Sequence, residues 1–156
     1  MPFAEQSILL RGNIDTIFLR TNDLEQWPSL FVEYGDVRVL SKTPLSEHCW
    51  RLVFELTDVN GNTWQSRRLV DKHHYIASAQ RVNPLFPFLY MNILWLYVQT
   101  EDGVKMTWMQ DFEVDPHAGR TNESMLAYML GHMKKNQEHI KAFLEAQEEK
   151  IVDQTP

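Results

Sequence analysis

The chain has 156 residues, a length that suits one domain around one core, and 44% of them are hydrophobic against 23% charged, a globular rather than disordered composition. A net charge of −6 argues against nucleic acid as a partner. No apolar run approaches the roughly 20 residues of a membrane helix, the N-terminus does not read as a signal peptide, and Cys49 is the single cysteine, so the expectation is a cytoplasmic protein with no membrane partner and no disulfide framework.

Ser7 to Arg11 reads as a short strand. Asn13 then suits the N-cap of a helix over 14–20, where Ile14, Ile17 and Phe18 form an apolar stripe. Asn22-Asp23 can cap a second short helix running toward Trp27, and Pro28, tolerated only in a first turn, starts a new one carrying Leu30 and Phe31. After Gly35 the pattern turns to strands. Val37 to Leu40 is one, and His48 to Thr57 is another, with Trp50, Leu52, Phe54 and Leu56 on one face and Arg51 and Glu55 on the other. Asn60-Gly61 marks a hairpin. Strands over 63–70, 74–82, 90–99 and 104–114 follow, with a proline-bearing loop over 83–87. Thr121 or Asn122 caps a terminal helix of roughly 25 residues, on which Leu126, Met129, Met133, Asn136, Ile140, Phe143 and Leu144 recur at three-four spacing.

Strands and helices kept apart in the chain predict the α+β class. The natural packing is a curved antiparallel sheet of about seven strands wrapped around the terminal helix, with a cavity between them and two short helices after the first strand. Residues 1–150 form that single domain, and 151–156 read as a disordered tail.

Several polar residues interrupt faces that are otherwise apolar. Trp64, Ser66 and Arg68 alternate along one strand and so share a face. If that face points inward, Arg68 needs a partner, a wet cavity or a ligand, because an arginine cannot shed its proton to escape burial. Gln110 lies between Trp108 and Phe112, Asn136 between Met133 and Ile140, and Arg81 falls in phase with Tyr75, Ala77 and Ala79. Each has a plain alternative: a backbone hydrogen bond for Gln110, a place at the stripe's edge for Asn136, a carboxylate at the sheet edge for Arg81. Together they predict a cavity with convergent donors and aromatic walls. Metal chemistry is not expected: His73-His74, His132 and His139 lack ligand spacing and read as solvated. No phosphate loop and no nucleophile with an evident base stands out.

Three segments carry a family resemblance. Thr21-Asn22-Asp23-Leu24-Glu25-Gln26-Trp27-Pro28-Ser29-Leu30-Phe31-Val32-Glu33-Tyr34, Tyr90-Met91-Asn92-Ile93-Leu94-Trp95 and Met106-Thr107-Trp108-Met109-Gln110-Asp111-Phe112 resemble motifs of the single-domain aromatase/cyclases of bacterial type II polyketide synthases, the tetracenomycin and spore-pigment type. The resemblance spans about residues 7 to 145. It implies a helix-grip fold of the Bet v 1/START type with a deep pocket between sheet and long helix. It implies Arg68, Tyr34 and Ser66 as catalytic residues, and a pocket built from Trp27, Trp64, Arg81, Met91, Trp95, Trp108, Gln110, Met133 and Asn136. The implied substrate is a poly-β-ketone on the phosphopantetheine arm of an acyl carrier protein, with other synthase subunits as partners and no metal or further cofactor. The implied reaction is regiospecific aldol cyclisation and dehydration of the first ring or rings. Arg68, supported by Ser66, would stabilise the developing oxyanion, Tyr34 would donate a proton, and a water held by Gln110 or Asn136 would serve as base. Lys134, Lys135 and Arg120 are candidates for a basic mouth facing an acidic carrier. Three departures concern the pocket: the hairpin at Asn60-Gly61 and the loop from Pro84 to Pro87 differ in length from the tetracenomycin enzyme, and Gln65-Ser66 lacks a second tryptophan seen nearby there. The alternative function is a non-catalytic carrier of a lipid or other apolar ligand on the same fold; a chaperone that only sets ring register and a plain interaction module are lesser rivals.

Overall fold

A computed structural model describes residues 2–153, with backbone alone over 148–153. The elements run β1 (Phe3–Leu10), α1 (Ile14–Thr21), a 3-10 turn (Leu24–Gln26), α2 (Trp27–Leu30), β2 (Tyr34–Ser46), β3 (Cys49–Asp58), β4 (Thr63–Asp71), β5 (Ile76–Asn83), β6 (Phe88–Thr100), β7 (Gly103–Val114) and α3 (Asn122–Asp153). All strands pair antiparallel in one sheet of order β1-β7-β6-β5-β4-β3-β2. The helices after β1 carry the chain from one sheet edge to the other, and the buried side chains of the sheet meet those of α3 in one core.

Local chemistry accounts for the helix starts. Asn13 Oδ1 accepts from the Thr16 N–H at 3.2 Å, the N-cap bond that begins α1. At α3 the cap is Thr121, whose Oγ1 accepts from the Ser124 N–H at 3.0 Å; Asn122 instead accepts from the Val114 N–H and ties the helix start to β7. Pro28 stands in the first turn of α2, where its missing N–H costs nothing.

Some boundaries differ from the sequence expectation. β2 runs to Ser46 rather than Leu40 because its outer half is exposed on both faces and carries no alternation; only its pairing with β3 defines it. As an edge strand it tolerates Pro44. β5 starts at Ile76, not at residue 74: Asp71 Oδ1 accepts from the His73 and His74 N–H groups, and Tyr75 adopts φ of 55°, so a turn occupies these residues. β1 and β6 begin earlier than expected, at Phe3 and Phe88. α3 is 32 residues long and reaches Asp153, so residues 151–153 of the expected tail have helical backbone, and 154–156 lie outside the described residues. No helix among the described residues is long and apolar enough to cross a membrane.

Candidate active site

Between the concave sheet face and α3 lies a cavity of about 570 Å³, in the size range of small-molecule sites. Strand alternation delivers its polar wall. In β4, Ser66, Arg68 and Val70 are buried and Trp64 is half-buried, while Arg67 and Leu69 face out. The face of β4 that bears an arginine is therefore the inner one.

Arg68 is 2% exposed. Its Nε and Nη2 both donate to Asn22 Oδ1, at 3.0 and 2.8 Å. Its guanidinium lies over the Trp95 ring at 4.1 Å and the Trp27 ring at 5.2 Å. Among the described residues no carboxylate pairs with it, and Nη1 has no hydrogen-bond partner. Burial pushes its pKa down to about 10, opposed by Tyr97 and Tyr34, so it stays a cation at neutral pH. Desolvated cation–π contacts contribute about 2 kcal/mol each, against a desolvation cost of several kcal/mol for a buried ion. A negative group arriving in the cavity would recover the difference.

The expected support from Ser66 is not what holds this cation. No hydrogen bond joins Ser66 to Arg68; Ser66 lines the cavity with its hydroxyl unpartnered among the described residues. The positioning residue is Asn22, at the C-cap of α1. Asn22 Nδ2 donates to the Phe18 carbonyl at 2.9 Å and to Tyr97 OH at 3.3 Å, and Tyr97 OH also meets Thr21 Oγ1 at 2.6 Å. Trp27 is fixed in turn by its Nε1 donating to the Thr21 carbonyl. These contacts give the Thr21-to-Tyr34 segment a physical reason: it forms one wall of the cavity.

Tyr34 ends that segment. Its ring stacks on Trp27 at 5.8 Å and meets Trp64 edge-on at 6.2 Å, so Trp27 touches both Tyr34 and Arg68. Burial, with the charge and hydrogen bond of Glu33, raises the Tyr34 pKa well above that of a free phenol, while Arg68 and Arg81 pull it back. Tyr34 is thus a neutral phenol. Arg81 finds backbone carbonyls, not the carboxylate anticipated: Nε donates to the Pro84 carbonyl at 2.7 Å and Nη2 to that of Phe86 at 3.0 Å. It also lies over Trp64 at 4.8 Å and Phe88 at 5.6 Å, clamping the β5–β6 loop to the cavity rim. Burial lowers its pKa to about 10, with Tyr34 and Asp58 opposing.

The remaining wall is aromatic. Trp95 and Trp108 stack at 4.6 Å, with Phe31 against both. Met91 and Met133 are buried and line the space. Trp108 Nε1 and Gln110 Oε1 are buried without a partner among the described residues, a donor and an acceptor on one strand face beside the cavity. Gln110 therefore lacks the backbone bond that would have made it merely structural.

Two sequence readings are corrected. Asn136 lines the cavity, but its amide is committed and it does not sit at the stripe's edge: it is buried, its Oδ1 accepts from the Val32 N–H at 3.0 Å, and its Nδ2 donates to Glu33 Oε1 at 3.2 Å. His132 is not a solvated histidine: its side chain is 34% exposed, lines the cavity, and its Nδ1 meets Glu33 Oε2 at 3.0 Å. Burial raises the Glu33 pKa, restrained by His132, Tyr34 and Asn136. Glu33 and Asn22 were missed although both stand in the segment that carries the resemblance; a carboxylate next to Tyr34 was the available signal. Of the three basic residues considered for the mouth, Arg120 lines it, over the Tyr128 ring at 4.8 Å, whereas Lys134 and Lys135 do not. No His, Cys, Asp and Glu cluster among the described residues could hold a metal ion.

No family model matches the chain. Two relatives, each named "Putative polyketide cyclase", do: one from Streptomyces cyaneus is 40% identical over 120 residues, covering 74% of this chain and 75% of the relative, and one from Streptomyces halstedii is 36% identical over 111 residues, covering 68% and 96%. The chain belongs to the polyketide cyclase family. The fold of this cyclase is likewise that of the ZhuI aromatase/cyclase from Streptomyces sp. R1128, with TM-score 0.72 at 15% identity over 96% of this chain and 94% of that one. It also matches a START superfamily protein from Mycobacterium smegmatis, with TM-score 0.68 at 16% identity, covering 92% and 99%. The helix-grip architecture expected for the cyclase is thereby the one it has.

Proposed function

We propose that this polyketide cyclase takes a poly-β-ketone tethered to an acyl carrier protein into the cavity, directs one methylene onto one ketone, and dehydrates the aldol to an aromatic ring. The observation that carries the reading is Arg68, a buried cation in an aromatic cavity with no carboxylate partner among the described residues. The attacked ketone oxygen gains negative charge as the C–C bond forms, and a fixed, desolvated cation stabilises that charge better than water does. The aromatic wall fixes the fold of a flexible chain, which is catalysis by proximity and orientation. Trp108 Nε1 and Gln110 Oε1 supply a donor for a ketone oxygen and an acceptor for an enol hydroxyl. Tyr34 protonates the new alkoxide. Aldol addition and loss of water are redox-neutral, so the reading requires no redox cofactor. Arg120 at the mouth faces the acidic carrier.

A carrier of apolar ligands has no use for a buried cation with unmet valence. The test is product analysis of a minimal ketosynthase pair and acyl carrier protein with and without this chain. The expected result is a switch from mixed, spontaneously cyclised products to one first-ring register; an unchanged mixture would sink the reading.

A further inference from the structure

The mechanism so far lacks a base, and the cavity wall holds a pair whose geometry fits one. His132 projects from α3, its Nδ1 bonded to Glu33 Oε2 at 3.0 Å. A carboxylate that accepts from Nδ1–H fixes the tautomer in which Nε2 carries the lone pair. Nε2 has no hydrogen-bond partner among the described residues, and the ring lines the cavity. Glu33 is itself held: Asn136 donates to its other oxygen at 3.2 Å. Asn136 is locked by the Val32 N–H, so the carboxylate cannot rotate away. The Tyr128 ring packs on the imidazole at 4.1 Å and limits its tilt. This is the arrangement of an oriented base: a ring nitrogen without a partner on a residue that lines the cavity, a carboxylate on the other nitrogen, and a third group fixing the carboxylate.

We propose that His132 is the general base that removes the methylene proton of the bound β-diketone, and that Glu33 and Asn136 are its positioning residues. This inference rests on the cyclase reading above. Nε2 takes one proton from the carbon between two carbonyls, and the C–H electron pair becomes the enolate. The enolate carbon bonds to the ketone carbon, the C=O π pair moves to oxygen beside Arg68, and that oxygen takes the proton of Tyr34. The Tyr34 phenolate so formed takes the remaining proton of the attacking carbon, and the imidazolium returns its proton to the departing hydroxyl. One water leaves, and no electrons enter or depart. Glu33, Tyr34, His132 and Arg68 all line the one cavity.

The test separates the base from the function. Hydrogen–deuterium exchange at the central methylene of 1-phenyl-1,3-butanedione, followed by NMR in D₂O, reads proton abstraction without ring closure. The intact protein should accelerate exchange over buffer and over heat-denatured protein. His132→Gln, which keeps a donor for Glu33, should lose about a hundredfold of that acceleration, the usual worth of a general base. His132→Ala should lose it too and regain part with added imidazole, a rescue that a structural histidine would not show. Glu33→Gln should lose about tenfold and Glu33→Asp less, with anthraquinone quenching of tryptophan fluorescence unchanged in all four. No acceleration by the intact protein, or wild-type exchange by His132→Gln, overturns the proposal. Exchange that depends on His132 while the synthase products stay mixed would keep the base and reject the cyclase reading; directed products with His132-independent exchange would do the reverse.

Discussion

The two walls of the cavity bury charge in opposite ways. On the sheet side, Arg68 is a cation held by an amide oxygen and two indoles, with no anion among the described residues to neutralise it. On the side facing α3, Glu33 is a carboxylate engaged at both oxygens, by His132 and Asn136. The contrast teaches that the first wall is built to receive charge and the second to pass protons. A core built for stability alone would have paired the two, because a buried ion whose partner is missing is costly.

The largest effect should come from breaking the sheet-side anchor. Asn22→Ala strips the cation of its only hydrogen-bond acceptor among the described residues, and a loss of about 3 kcal/mol is expected. Thermal melting followed by circular dichroism should show this as a fall of about 10 °C. A melting point unchanged by Asn22→Ala would mean that water solvates Arg68 and that the wall is wet.

On the other wall Tyr34→Phe removes a proton donor but keeps the stack on Trp27. Turnover should drop about tenfold or more while tryptophan quenching by a polyhydroxylated anthraquinone holds within about twofold. Equal losses in both would make Tyr34 a packing residue.

The smallest effect is on the pH dependence of stability. Glu33 has its folded pKa raised above the unfolded value, so between the two values the native state binds more protons than the unfolded chain. Stability contributed by this group is therefore present at acid pH and lost as pH rises through the raised pKa. Glu33→Gln should flatten that part of the denaturation midpoint against pH; a slope identical to wild type would show that His132 and Asn136 offset the burial completely.

How far the sequence reached depends on which force defined each part. Elements with one buried face were legible: β3 and β7 showed strict alternation, and α3 showed a three-four stripe. Edge strand β2 was cut short because exposure erases alternation, and pairing is not written in its side chains. Arg68 stood out since its strand phase conflicted with its charge. Asn22, Glu33 and His132 did not, because their roles come from contacts across 46 to 99 positions of chain, between residue types that are ordinary on a surface. Asn136 was found and misread: the stripe showed its burial but not that its amide was already committed to Glu33 and Val32.

The central claim is that Arg68 is kept for chemistry and not for the fold. Arg68→Met fills similar volume and removes the buried charge. Reconstituted with the minimal synthase, this variant should stay folded, melt within a few degrees of wild type, and lose about 10²- to 10³-fold of the directed first-ring product, the worth of one oxyanion-stabilising group. A folded Arg68→Met protein that directs products as wild type does would contradict the account.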